Sequence, residues 1–321
     1  MSDATLARAA EALHGASSVA LACHVNPDAD ALGSMLGLST FLRGRGVATV
    51  CSYPNDPFDP PRWIDLLPGR DALVPPKGFP KAPEVLVTCD VASLDRLAMF
   101  APIAERTPTV VWIDHHRSNP GLGTHPLIDP DASSTCELVA RLIEAMDGGM
   151  DAGTAAALYA GLIADTGRFQ YEAVRPATLR LAAELRAFPF DHARISRALY
   201  EDNSFAYLRL LGAALDRVRL EEGLVWTYLS RADLEAYGVA VTETEDLIDV
   251  VRTAREADVA AVIKEQRDGR YKVSLRSRGA TDVAAVAGRF GGGGHRLAAG
   301  YTSKADLDGT LEALRAALAA P

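Results

Sequence analysis

The sequence predicts an α/β protein with an N-terminal doubly wound, mostly parallel sheet and a smaller C-terminal α/β domain with a mixed sheet. Three observations carry this. Apolar, β-branched runs alternate with helical patterns through the first half, and those runs are apolar throughout, as in strands covered on both faces. After about residue 213 the pattern changes to strands that include a hairpin signal, Asp268-Gly269. A chain of 321 residues, 48% hydrophobic, has apolar material for two cores.

In order, strands are expected at 17–24 ("SSVALACH"), 47–53 ("VATVCSY"), 84–90 ("EVLVTCD") and 109–116 ("TVVWIDHH"). A helix is expected at 31–43 between the first two. Helices at 133–147, 151–164 and 176–187 follow; the first opens on capping serines and the third on Arg175-Pro176. A further helical stretch, 191–212, is read as a connector, giving domains over 1–190 and 213–321. The C-terminal part has strand patterns at 223–230, 258–266 and 270–278 and helical patterns at 231–237, 243–257, 281–289 and 305–318.

Composition excludes several classes. A net charge of -9 argues against coating long duplex DNA. No apolar run reaches membrane-spanning length and the N-terminus lacks an apolar signal core, so a cytoplasmic protein without a membrane segment is expected. Cys23, Cys51, Cys89 and Cys136 fit no zinc spacing and read as small core residues in a reducing compartment.

The chemistry sits at the ends of the elements. The first strand runs into His24, Asp28 and Asp30, the third into Asp90, and the fourth into Asp114, His115 and His116. Asp165 closes an apolar helix just before Thr166-Gly167. In an open α/β sheet, ligands bind outside the carboxyl ends of the strands. One aspartate at a strand end is usually a turn or cap residue. Their coincidence on one edge is what points to chemistry, because such a cluster repels itself unless cations neutralise it. Two divalent ions would do so, sharing carboxylates at the usual two-metal separation. Carboxylates with histidines and no thiolate suit manganese, magnesium or iron better than a thiolate zinc site, and histidine favours manganese over magnesium.

The second half carries candidate anion contacts. Gly292, Gly293 and Gly294 lie in a four-glycine run that lets amides approach a phosphate, and His295 and Arg296 follow it. Residues 258–300 hold eight basic and four acidic side chains. Arg276 and Arg278 flank Ser277 and should share a face. Arg117, directly after the histidine pair, and Ser133 and Ser134, at a helix start, are further phosphate candidates.

Together "HVNPDADALGS" (24–34), "CD" (89–90), "DHH" (114–116), "IADTG" (163–167) and "GGGGHRLAAGY" (291–301) resemble the motifs of the DHH phosphoesterases and their DHH-associated C-terminal domain, in order along the chain. The lengths are most similar to the nanoRNase branch. The resemblance implies that His24 and Asp28 ligate one ion, that Asp30, His115 and Asp165 ligate the other, and that Asp90 bridges both. It implies that Asp114 orients a neighbour, that His116 contacts the scissile phosphate, and that the C-terminal domain binds substrate. Two Mn²⁺ are the implied cofactors, with Mg²⁺ or another divalent ion as alternatives. The implied substrates are short RNA, linear or cyclic dinucleotides such as cyclic di-AMP, and 3'-phosphoadenosine 5'-phosphate, hydrolysed to 5'-mononucleotides. A homodimer is implied as well. Other readings of the same motifs are an inorganic pyrophosphatase, a single-strand exonuclease and a nucleotide sensor without chemistry. The intact ligand set speaks against the sensor.

Overall fold

The computed structural model describes residues 3–319. They form two compact units that divide between Asp202 and Asn203.

The first unit is built on five parallel strands: β1 (Ser18–Cys23), β2 (Ala48–Ser52), β3 (Val85–Cys89), β4 (Thr109–Asp114) and β5 (His125–Ile128), in the order β2-β1-β3-β4-β5. All five residues of β3 are buried, which is why it reads as an unbroken apolar run. One face packs against the helices Ala29–Gly44 and Thr135–Ala145, and Ala152–Asp165 packs on those two helices, through residues such as Leu32, Leu36, Val87 and Leu158. Each such leucine contributes roughly 2 kcal/mol by burial. The other face lies under Phe79, Leu97 and Phe100. The order reverses between β1 and β3, so the crevice for a ligand opens there, at the carboxyl ends of these two strands.

Two glycines set the helix layer. A Cβ on Gly33 would stand 2.6 Å from the Ala157 carbonyl, and one on Gly161 would stand 2.9 Å from the Ala29 carbonyl. Only glycine lets these helices approach so closely. The approach brings the start of Ala29–Gly44, with Asp30, beside the end of Ala152–Asp165, with Asp165.

The second unit starts with the helix Phe205–Asp216 and has six strands: β6 (Arg219–Glu221), β7 (Leu224–Leu229), β8 (Val259–Glu265), β9 (Tyr271–Ser277), β10 (Gly293–His295) and β11 (Ala298–Ser303). Their order is β10-β11-β9-β8-β7-β6; β7 and β8 are parallel and the other pairs antiparallel. This is the expected mixed sheet. The turn between β8 and β9 contains Asp268-Gly269, with Gly269 at φ 79°.

The structure departs from the sequence reading in four places. The stretch 191–212 is two helices, His192–Tyr200 and Phe205–Asp216, interrupted by polar residues and restarted by Ser204, whose hydroxyl accepts the Tyr207 N–H. The pattern at 243–257 forms a 3-10 turn, Val241–Thr244, and a short helix, Leu247–Val251. Strands β5, β6, β10 and β11 were not expected. The glycine run, read as a phosphate-approaching loop, leads into the β10–β11 hairpin: a Cβ on Gly292 would stand 2.2 Å from the Gly300 carbonyl. Among the described residues no helix is long and apolar enough to cross a membrane.

Candidate metal centre

The register of the sheet assembles the centre. Cys23 pairs with Cys89 and Cys89 with Ile113, so His24, Asp90 and the 114–116 segment leave three neighbouring strands side by side. Asp90 takes a left-handed conformation, φ 62°, that turns it back over the edge, and its amide donates to the Ile113 carbonyl. Asp28 caps Ala29–Gly44: its Oδ1 accepts the amides of Asp30 and Ala31. That leaves its Oδ2 3.9 Å from His24 Nε2. Asp165 closes its helix, where a carboxylate meets the negative end of the dipole.

Several groups of donors result, one of them Asp90 with Asp114 and His116, and two others share no residue. His24, Asp28 and Asp90 each offer an atom within 4.8 Å of the others, and so do Asp30, His115 and Asp165. Asp90 faces both groups. Its Oδ2 lies 3.5 Å from His24 Nε2 and its Oδ1 lies 3.6 Å from His115 Nε2. His115 Nε2 is also 3.3 Å from Asp165 and 4.0 Å from Asp30. The far nitrogens are anchored: Nδ1 of His24 donates to the Val25 carbonyl and Nδ1 of His115 to that of Ala132. Each imidazole thus aims Nε2 inward. Beside them His116 Nδ1 donates to Asp114 Oδ1 at 2.7 Å, and Asn119 holds the other Asp114 oxygen at 2.7 Å.

The electrostatics are those of a site built around positive charge. Burial, with Asp90 and Asp165 adding to it, pushes Asp30 well above the carboxylate range. Burial with Asp90 and Asp28 outweighs His115 and pushes Asp165 up to about 7. Burial opposes ionisation of Asp90, but the His24 hydrogen bond and the nearby His116 and His115 hold it far below the usual range. Burial opposes charge on His115, yet Asp165, Asp90 and Asp30 lift it to about 9. For His116 the Asp114 hydrogen bond and Asp90 overcome burial and lift it to about 10. A divalent cation placed among these acids and imidazoles would compete with protons for them. The mixed carboxylate and imidazole donors, without a thiolate, fit such an ion.

Residues 18–164 match the DHH family, N-terminal domain, and residues 228–320 match the DHHA1 domain. Over 91% of its length the chain is 33% identical to the bifunctional oligoribonuclease and PAP phosphatase NrnA of Thermus thermophilus, covering 86% of that protein. The chain belongs to the DHH family. As a member it is a phosphoester hydrolase that depends on divalent metal. It is also 30% identical to the NrnA of Bacillus subtilis, over 86% of each protein. The cyclic-di-AMP phosphodiesterase GdpP of Geobacillus thermodenitrificans is 27% identical over 85% of this chain, which spans 42% of that protein. The fold is that of an exopolyphosphatase-related protein from Bacteroides fragilis, with a TM-score of 0.90, 24% identity and coverage of 99% of this chain and 96% of the other.

The remaining candidates divide. Arg117 is exposed, 3.9 Å from Asp131. Ser133 and Ser134 have hydrogen-bond partners within the fold. Both are fully buried; Ser133 Oγ donates to Glu137, and Ser134 Oγ accepts the Glu137 amide. Their role is to start the helix Thr135–Ala145. In the second unit, Arg276 stands 3.6 Å from Asp249, Arg278 donates to the Ala254 carbonyl and Arg296 to that of Gly279. Gly293, Gly294 and His295 form β10. Part of the basic excess is neutralised locally, since Lys264 and Lys272 both bind Glu245. The sequence reading missed Asn119 and also Thr135, whose hydroxyl donates to Asp90.

Glu137 locks the helix behind the centre. Its buried carboxylate accepts from Ser133, Arg175 and Thr178 and is paired with Arg141. Burial opposes its charge, but Ser133 and the two arginines hold its pKa below the usual range. Glu137→Ala should remove about 2–4 kcal/mol and lower Tm by roughly 10 °C in thermal denaturation at neutral pH. Because the folded pKa is depressed, the difference is present above about pH 4.3 and shrinks as pH falls through the folded value. An unchanged Tm would show that the network is not stabilising.

Proposed function

We propose that the chain is a manganese-dependent phosphodiesterase and phosphatase. It hydrolyses short oligoribonucleotides and linear or cyclic dinucleotides to 5'-mononucleotides, and 3'-phosphoadenosine 5'-phosphate to AMP. The observation that carries this is Asp90, which turns one carboxylate oxygen to each donor group. Support for the substrates comes from the NrnA and GdpP relatives. In this reading His24 and Asp28 would hold one ion, Asp30, His115 and Asp165 would hold a second, and Asp90 would contribute to both.

Such ions, when bound, lower the pKa of water and neutralise charge on phosphate oxygens. The chain's own residues do the rest. His116, with Nδ1 spent on Asp114, turns its Nε2 proton toward the scissile phosphate and stabilises the charge that builds there. Asn119 and Asp114 fix the plane of that ring. We assign Arg117, Arg276, Arg278, the glycines 292–294, His295 and Arg296 to substrate binding. We read the protein as cytoplasmic, as a homodimer, and as having no affinity for long duplex DNA.

The test is one comparative assay. The chain, with Mn²⁺ added, is incubated separately with a short oligoribonucleotide, linear diadenylate, cyclic di-AMP and 3'-phosphoadenosine 5'-phosphate, and products are separated by chromatography. AMP should appear from the adenine substrates. Binding of diadenylate with no release from any of the four would make the protein a sensor instead.

A further inference from the structure

We propose that Thr135 is a positioning residue that fixes the second cation position relative to the first, holding Asp30 with its amide and Asp90 with its hydroxyl. The proposal rests on the two-ion reading above. Thr135 is fully buried and is the first residue of the helix Thr135–Ala145. Its N–H donates to Asp30 Oδ2 at 2.6 Å, and the next amide, from Cys136, donates to Asp30 Oδ1 at 2.9 Å. Its Oγ1 donates to Asp90 Oδ1 at 2.8 Å. One residue therefore ties together two carboxylates that lie 60 positions apart in the chain, Asp30 and Asp90.

The contact is asymmetric. Asp90 Oδ1 is the oxygen that faces His115, whereas Oδ2 faces His24. Asp30 belongs with His115 and Asp165 as well. Thr135 thus holds Asp30 of the second group and the Asp90 oxygen that faces that group, and neither bond reaches His24 or Asp28. An aspartate carboxyl rotates in a broad, roughly two-fold well, so its orientation needs an outside partner. Thr135 is a rigid one. Ser134 caps its helix and the Glu137 network holds the segments around it. A carboxylate whose oxygens must point in two directions needs such a reference, and supporting residues of this kind typically alter metal affinity by about 10–100-fold.

Three variants test this: Thr135→Val, which keeps the shape and deletes the hydroxyl, Thr135→Ala, which deletes it without the second methyl, and Thr135→Ser, which keeps it. Mn²⁺ is titrated into metal-free protein by calorimetry, and the spin coupling between ions is read by electron paramagnetic resonance, with no substrate present. In Thr135→Val one of the two affinities should fall about 10–100-fold and the coupled signal should collapse, while the other affinity stays within about 3-fold. Thr135→Ser should restore both. Thr135→Ala should behave as Val does, and it replaces Val in the comparison if Val does not fold by circular dichroism. Two unchanged affinities in the hydroxyl-less variants, or a serine variant as weak as they are, would overturn the role of Thr135. A wild-type protein that takes up one ion or none would overturn the two-ion reading, and this proposal with it.

Discussion

Asp90→Asn should lower kcat/KM by at least about 10³-fold, because the several kcal/mol that metal-assisted charge stabilisation supplies depend on this side chain. The substitution keeps shape and size but removes the charge from a carboxylate that faces both donor groups. It also takes that charge from the imidazoles of His24, His116 and His115, which hold the Asp90 carboxyl far below its usual range. The metal-free variant should therefore melt below the metal-free parent near neutral pH, and Mn²⁺ should no longer raise its Tm. Initial rates on linear diadenylate and thermal melts with and without Mn²⁺ check both halves. Near-normal turnover in the variant would remove Asp90 from the chemistry.

His116→Gln should separate catalysis from metal uptake. Its ring belongs to neither donor group that we assign to the ions, and it is fixed by Asp114. If it stabilises developing charge on the phosphate, its loss lowers kcat by about 10²–10⁴-fold while Mn²⁺ affinity stays within a few-fold. Steady-state kinetics on diadenylate and calorimetry with Mn²⁺ read the two quantities. A variant that loses its metal as well as its rate would mean that His116 is a ligand. A variant with normal kcat would mean that it does not touch the reacting phosphate.

The parts of this molecule that are legible in the sequence are those set by local chemistry. Strands β1, β3 and β4 are buried on both faces, and their residues alone mark them. The candidate ligands are legible for the same reason, since each follows a strand or closes a helix. What stayed hidden depends on pairing through space. β5 has four residues including Pro126 and lies at an edge. β10 consists of two glycines and a histidine and is a strand only because β11 lies beside it. The break after Tyr200 was written in the sequence as a polar run ending in a capping serine, and the apolar residues on either side outweighed it. Thr135 is the instructive omission. It stands next to two serines that were read as phosphate contacts, yet they are sealed in the helix start while Thr135 reaches the acids. Nothing in a single sequence distinguishes three adjacent hydroxyls by direction.

The most direct measurement is diffraction from crystals of the Mn²⁺-loaded protein at the manganese absorption edge. Two anomalous peaks are expected, one among His24, Asp28 and Asp90 and one among Asp30, His115 and Asp165, with Asp90 in reach of both. Peaks elsewhere, or none at saturating Mn²⁺, would contradict the account.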